Sequence, residues 1–238
     1  HASGTALKID DSVASLVKGV KDELKFEVFI SLSCHNCPDV VQALNQFALL
    51  NPNISSEMID GGLYQSLVEE RDIQGVPSVY LNGELFANGK VDAATLIDRL
   101  LEFDPSLKEV NKGQSLPLQD VTVIGGGPAG VSAAIYSARK GLKVTVVADR
   151  FGGQVKDTMG IENLISVPKT TGPELVGNLA EHMKDYDITL KEHVRVDNIE
   201  KGNIKTLTLS SGEQIQTKSL IVATGARWRE LGVPGEKE

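Results

Sequence analysis

The chain has 238 residues, 41% hydrophobic and 24% charged, long enough for two domains that each bury a core and balanced as a soluble globular protein. Its net charge of −8 argues against nucleic acid or an anionic membrane surface as partner, and no apolar run approaches the ~20 residues that span a bilayer. Both cysteines fall in Cys34-His35-Asn36-Cys37, which excludes a disulfide scaffold and suggests redox chemistry in a reducing compartment, hence the cytoplasm.

Residues 10–21 read as a helix, with Val13, Leu16, Val17 and Val20 on one stripe and Asp10, Asp11 and Ser12 as capping candidates. Lys25 to Leu32 alternates and is rich in Phe, Val and Ile, a strand that runs straight into Cys34. Beyond Cys37, the residues Val40, Val41, Leu44, Phe47 and Ala48 recur at helical spacing until Asn51-Pro52 stops them. Ile54 to Asp60 reads as a second strand and Leu63 to Asp72 as a helix. Pro77 opens the short run Ser78–Leu81, and Asn82-Gly83 is a strong hairpin signal leading back through Glu84–Ala87. Asp92 caps a last helix through Phe103, with Leu96, Ile97, Leu100 and Leu101 inward. The order α-β-α-β-α-β-β-α thus fills a first domain, residues 1–103.

Residues 104–117 hold turn formers without periodicity and read as a linker, so a second domain covers 118–238. It opens with Val121-Thr122-Val123-Ile124, suited to a buried parallel strand. A glycine-rich turn follows, then a helix with Val131, Ala134, Ile135 and Ala138 on one face, closed by Gly141, and the strand Leu142–Ala148. That is one βαβ unit.

A Cys-x-x-Cys between a strand and a helix has a physical logic. Unpaired N–H groups and partial positive charge at the helix N-terminus stabilise a thiolate, the attacking species in disulfide exchange. Cys34 is the more exposed position and would attack, while Cys37 inside the helix would resolve the mixed disulfide. A zinc site needs about four ligands, and two cysteines with four scattered histidines do not supply them. His35, between the cysteines, either tunes the thiolate or is a solvated spacer.

Gly125, Gly127 and Gly130, with Pro128 and Ala129 between them, match G-x-G-x-x-G, a weak pattern alone. Here it follows a buried strand, opens a helix and precedes a second strand that ends at Asp149, about 20 residues on. The first glycine permits the tight bend, the second lets the backbone approach a pyrophosphate, and the third allows close packing of helix on strand. The acid would bind a ribose hydroxyl, with the pyrophosphate on the helix N-terminus.

Gly-Pro-Ala-Gly at 127–130, Phe151-Gly152-Gly153-Gln154, Glu162-Asn163 and Ile221-Val222-Ala223-Thr224-Gly225-Ala226 resemble the FAD domain of low-molecular-weight thioredoxin reductases. By that resemblance Gly152, Gly153, Gln154 and Asn163 lie near the flavin, and Thr224 and Gly225 pass close to FAD. Gly75-Val76-Pro77, just before the hairpin, sits where the thioredoxin superfamily places a cis-proline beside its dithiol, which implies a cis peptide at Pro77. Cys34–Asp39, Ile59–Gly62, Ser166–Thr170 and Val233–Glu236 narrow the match, over nearly the whole chain, to the flavoprotein subunits of alkyl hydroperoxide reductases.

The expected fold is therefore α/β: a thioredoxin/glutaredoxin-like domain followed by an incomplete Rossmann-like FAD-binding domain. The family adds a further thioredoxin-like subdomain in front. Behind, it has a nicotinamide domain with its own glycine turn and dithiol. On that resemblance this chain is a fragment that does not consume NADH alone. In the family, electrons pass from NADH or NADPH through FAD and the missing dithiol to the pair matching Cys34 and Cys37, then to a peroxiredoxin, and a homodimer is implied. Competing expectations are a thioredoxin reductase–thioredoxin fusion, a peroxide-forming NADH oxidase, and a flavin-free dithiol carrier.

Overall fold

A computed structural model describes residues 7, 9–89, 91–111 and 115–226. The first unit contains helix α1 (Asp11–Gly19), strand β1 (Leu24–Ile30), α2 (Cys37–Leu50), β2 (Ile54–Asp60), α3 (Gln65–Glu70), β3 (Ser78–Leu81), β4 (Glu84–Asn88) and α4 (Ala93–Phe103). Its sheet runs β2-β1-β3-β4, with β1 and β2 parallel and the other pairs antiparallel. This is the thioredoxin-like order expected. Local chemistry explains the element ends. Asp10 caps α1 by accepting from Ser12 N–H at 2.9 Å, and Asp92 caps α4 by accepting from Thr95 N–H at 2.8 Å. Asn82 and Gly83 both take positive φ, the turn that matches the twist of a β-hairpin.

Several boundaries differ from those expected. Strand β1 stops at Ile30, because Cys34 N–H closes a turn on Ser31 O at 3.0 Å. Helix α2 starts at Cys37 itself, which places that residue in the first turn. Pro38 has no N–H to give and fits only the first turn, and that sets the start. Helix α3 is shorter than Leu63–Asp72 and buries no residue; Leu63 and Tyr64 stay exposed and Asp72 turns left-handed.

The second unit holds β5 (Gln119–Ile124), α5 (Pro128–Ala138), β6 (Val144–Ala148), α6 (Gly172–Lys184), β7 (Ile188–Glu192), β8 (Val196–Glu200), β9 (Lys205–Leu209) and β10 (Gln214–Val222). The sheet order is β7-β6-β5-β10-β9-β8. Strands β7, β6, β5 and the second half of β10 are parallel, the Rossmann-like part, while the first half of β10 pairs antiparallel with β9. Side chains of α5 fill both sides of its contact: Ala134 packs with Val121, Val123, Val144 and Val146, and Val131 and Ile135 with Phe151, Val176 and Met183. No helix among the described residues is long and apolar enough to cross a membrane.

The segment read as a linker is not featureless. Pro105–Asn111 forms a 3-10 helix that buries Leu107 and Asn111, and Asn111 Nδ2 donates to Ser12 O at 2.7 Å and Ser211 O at 3.0 Å. The two units do not have wholly separate cores. Leu16, Phe47, Ile97 and Leu100 bury in one cluster with Val147, Val194, Leu207, Leu209 and Ile215. Beside that apolar seam, the buried Lys191 ammonium pairs with Asp10 at 3.5 Å and Glu213 at 3.0 Å.

Asn51, 3% exposed, ties α1 to α2: its Nδ2 donates to Val17 O and Val20 O, both at 2.8 Å. Asn51→Ala leaves these carbonyls without that donor and should destabilise the protein by about 2 kcal/mol in urea unfolding. A loss under about 0.5 kcal/mol would show that the contact is dispensable.

Candidate functional site

The dithiol sits where β1 hands over to α2. Cys34 and Cys37 are joined as a disulfide, their Cα atoms 5.5 Å apart. Cys37 is 2% exposed, whereas Cys34 is partly exposed and so is the sulfur a partner can reach. Cys37 N–H, at the start of α2, donates to Cys34 Sγ at 3.2 Å. That donor favours a thiolate at Cys34 once the disulfide is opened. The peptide between Val76 and Pro77 is cis, and Val76 O lies 3.8 Å from Cys34 Sγ. Ser78 Oγ donates to Gly75 O at 2.7 Å and holds the loop's shape. His35 is exposed.

An ion pair elsewhere in the dithiol unit was not legible in the sequence. Arg71 Nη1 donates to Glu27 at 2.9 Å, and its guanidinium lies 4.7 Å from the Tyr80 ring centre and 5.3 Å from that of Phe29. The hydrogen bond from Arg71 holds the Glu27 carboxyl below its ordinary range. The one signal was a lone acid in an apolar strand.

The nucleotide turn is built by close backbone approach. Gly125 has φ +117, and a Cβ there would overlap Ala223 O of the segment after β10; one on Gly130 would overlap Gly125 O. Gly126, which the pattern leaves open, is also constrained: its Cβ would stand 2.8 Å from that of Ala148. Gly127 differs, since the nearest atom to an added Cβ is Gly152 O at 3.9 Å. The bare backbone at Gly127 therefore faces open space at the N-terminus of α5, where Pro128 and Ala129 are exposed. A phosphate can approach such a turn, and the residues fit a dinucleotide.

A second turn packs on the first. Gly152 N–H donates to Gly126 O at 2.8 Å, and Gly152 and Gly153 both have positive φ. Arg150 Nη2 reaches Gly153 O at 3.3 Å. Gln154 Nε2 donates to Ala226 O, which draws Gln154 to Thr224 and Gly225 across 72 residues of sequence. Asp149 follows β6, and its Oδ2 accepts from Arg195 Nε at 2.9 Å. Asn163 is exposed in a loop framed by the bridges Ile161–Thr170 and Leu164–Val167, and no described contact joins it to the glycine turns. Val233–Glu236 lies outside the described residues. Lys156, two residues beyond Gln154, is 4.0 Å from Asp39 in the first turn of α2, so the dithiol helix and the glycine turns are neighbours.

Comparison with known proteins follows the same division. Residues 24–102 match the thioredoxin domain family, and 119–238 match the pyridine nucleotide-disulphide oxidoreductase family. A Bacillus subtilis protein named NADH dehydrogenase is 50% identical over 238 residues, covering 100% of this chain and 46% of its own length. In Pseudomonas aeruginosa, a subunit of alkyl hydroperoxide reductase is 47% identical over 242 residues, with 100% and 46% covered. Its Staphylococcus aureus counterpart (strain Mu50) is 46% identical over 240 residues, with the same coverage. The chain thus spans about half the length of the curated relatives it matches.

The glycines should separate fold from binding. Gly130→Ala forces β5 and α5 apart and should lower stability by more than about 2 kcal/mol, while Gly127→Ala should cost less than about 1 kcal/mol. Circular dichroism under urea checks both; equal losses would contradict the assignment of Gly127 to open space.

Proposed function

The chain belongs to the pyridine nucleotide-disulphide oxidoreductases, and from that premise we propose that it carries the electron-delivering half of a flavoprotein that reduces a peroxiredoxin. The dinucleotide at Gly125–Gly130 is FAD in this reading. FAD held there would be contacted by Gly152, Gly153, Gln154, Thr224 and Gly225, its ribose would donate to Asp149, and Asn163 would serve the flavin end. Held by these residues, FAD would supply two-electron chemistry between a nicotinamide nucleotide and a dithiol. The observation that carries the proposal is the proximity of the two sites: Asp39 on the dithiol helix pairs with Lys156 beside the glycine turns.

The chemistry at the cysteines follows from their unequal exposure. With the pair reduced, the Cys34 thiolate attacks one sulfur of the partner's disulfide. The partner's second sulfur leaves as a thiolate and takes a proton. Cys37 then gives up its own proton and attacks Cys34 Sγ, releasing the first partner thiol and restoring the Cys34–Cys37 disulfide. One disulfide is reduced, one formed, and two electrons move. Pro77 presents no N–H toward an incoming segment, which leaves the Val76 backbone to meet it. The same reading has a cytoplasmic homodimer using NADH or NADPH. The relative named NADH dehydrogenase favours a second reading, in which the electrons go to another acceptor and bypass the dithiol.

Cys37→Ser in the native protein should trap a disulfide between Cys34 and oxidised peroxiredoxin, seen by non-reducing electrophoresis and peptide mapping. Cys34→Ser should trap none and stop delivery to peroxiredoxin, while nicotinamide still reduces the flavin. A crosslink through Cys37 at a comparable rate in Cys34→Ser would overturn the assignment. Peroxiredoxin-dependent NADH consumption undiminished in Cys34→Ser would favour the second reading.

A further inference from the structure

Arg195 belongs to no motif, yet it is the side chain that links the nucleotide turn to the far face of the dithiol unit. Its Nε–H donates to Asp149 at 2.9 Å, and Nη1 donates to Asp98 on α4. Its backbone is held on both sides: Arg195 N–H donates to Ser210 Oγ at 3.0 Å, and Ser210 N–H donates to Arg195 O at 2.8 Å. Two residues earlier, His193 takes φ +65, and Val194 between them is fully buried in the shared core. The base of Arg195 is thus fixed in the seam.

Burial holds the Asp98 carboxyl above its ordinary range; Arg195 pulls against that, and the charge of Asp149 adds to it. Two acids that repel each other are therefore reconciled by one cation between them. A guanidinium is planar, with its donors in a rigid fork, so fixing Nη1 on Asp98 also fixes the direction in which Nε–H points at Asp149. We propose that Arg195 is a positioning residue for the dinucleotide site, orienting Asp149 for a ribose, and that Asp98 makes this orientation depend on docking of the dithiol unit. The inference rests on the reading of Asp149 as the ribose acceptor. Coupling of this kind is reciprocal, so docking tightens flavin binding and flavin tightens docking by the same factor.

The test uses the native flavoprotein and two readouts. FAD affinity is measured by reconstituting apoprotein and following flavin fluorescence. Docking is measured as tryptic cleavage after Lys108, within the 3-10 helix whose Leu107 is buried in the shared core. Asp98→Asn should weaken FAD binding at least about fivefold, the lower end of coupling between sites. FAD should slow cleavage in the wild type but not in Asp98→Asn. Arg195→Lys, which loses the fork, should weaken FAD similarly, and adding Asp98→Asn to it should weaken FAD no further. Asp149→Asn controls the premise. If it binds FAD normally, the ribose reading and the coupling fall together. If it loses FAD while Asp98→Asn binds within twofold of wild type, the coupling alone is overturned. A full Asp98→Asn effect in the Arg195→Lys background also overturns it.

Discussion

The shared apolar core is the constraint on which the arrangement of the two sites depends. Leu16, Phe47, Ile97 and Leu100 on the helices of the dithiol unit are buried together with Leu207, Leu209 and Ile215 from the second unit. Parting the units would open this cluster to water where side chains of the two units meet, and burial of such groups is the main favourable term in association. The apolar contact gives adhesion without direction. Direction comes from the polar groups beside it, since a buried Lys191 is tolerable only where Asp10 and Glu213 meet it. Parting the units would take Asp10 away from the buried Lys191 and Glu213, so these charges favour the one register in which all three meet.

That register sets what the two sites can do for each other. With α2 held by Phe47 in the core, its first turn, and with it Cys37, is presented beside Lys156 and the glycine turns. The dithiol's asymmetry is local: Cys37 is shut in by the helix it begins, and Cys34 stands outside with the Cys37 amide pointing at its sulfur. The nucleotide turn's asymmetry is local too. Gly125, Gly126 and Gly130 are glycines because neighbouring atoms leave no space, whereas a Cβ on Gly127 would meet nothing nearer than Gly152 O at 3.9 Å, and on the proposed reading that space receives the pyrophosphate.

The first unit was legible in the sequence because its signals are local. Asp10 and Asp92 stand next to the helices they cap, Asn82-Gly83 next to the strands it joins, and β1 alternates as far as Val28 before it is buried on both faces. Legibility ends after Ala148. Strands β7 and β8 are short and half exposed, with burial patterns in which polar residues interrupt any alternation, and β10 changes partner midway from β9 to β5. The 3-10 helix at Pro105–Asn111 was invisible as a helix because seven residues at three per turn offer too little periodicity to detect. At the site, the glycines, Cys34, Cys37 and Pro77 could be found from spacing and resemblance. Arg195 could not, since its partners Asp98 and Asp149 are 97 and 46 residues away and only the folded seam brings them together. Gln154 was singled out by motif, but its bond to Ala226 was not foreseen.

On the proposed reading the FAD site and the Cys34–Cys37 pair lie on one electron path, which can be followed by counting thiols. The native flavoprotein is mixed anaerobically with a stoichiometric amount of nicotinamide nucleotide, quenched in an alkylating reagent, and the peptide bearing both cysteines is weighed. Cys34 and Cys37 should be alkylated together, in proportion to the electrons added, and not at all in protein stripped of its flavin. A flavin bleached to its reduced spectrum while the Cys34–Cys37 peptide stays disulfide-bonded would contradict it.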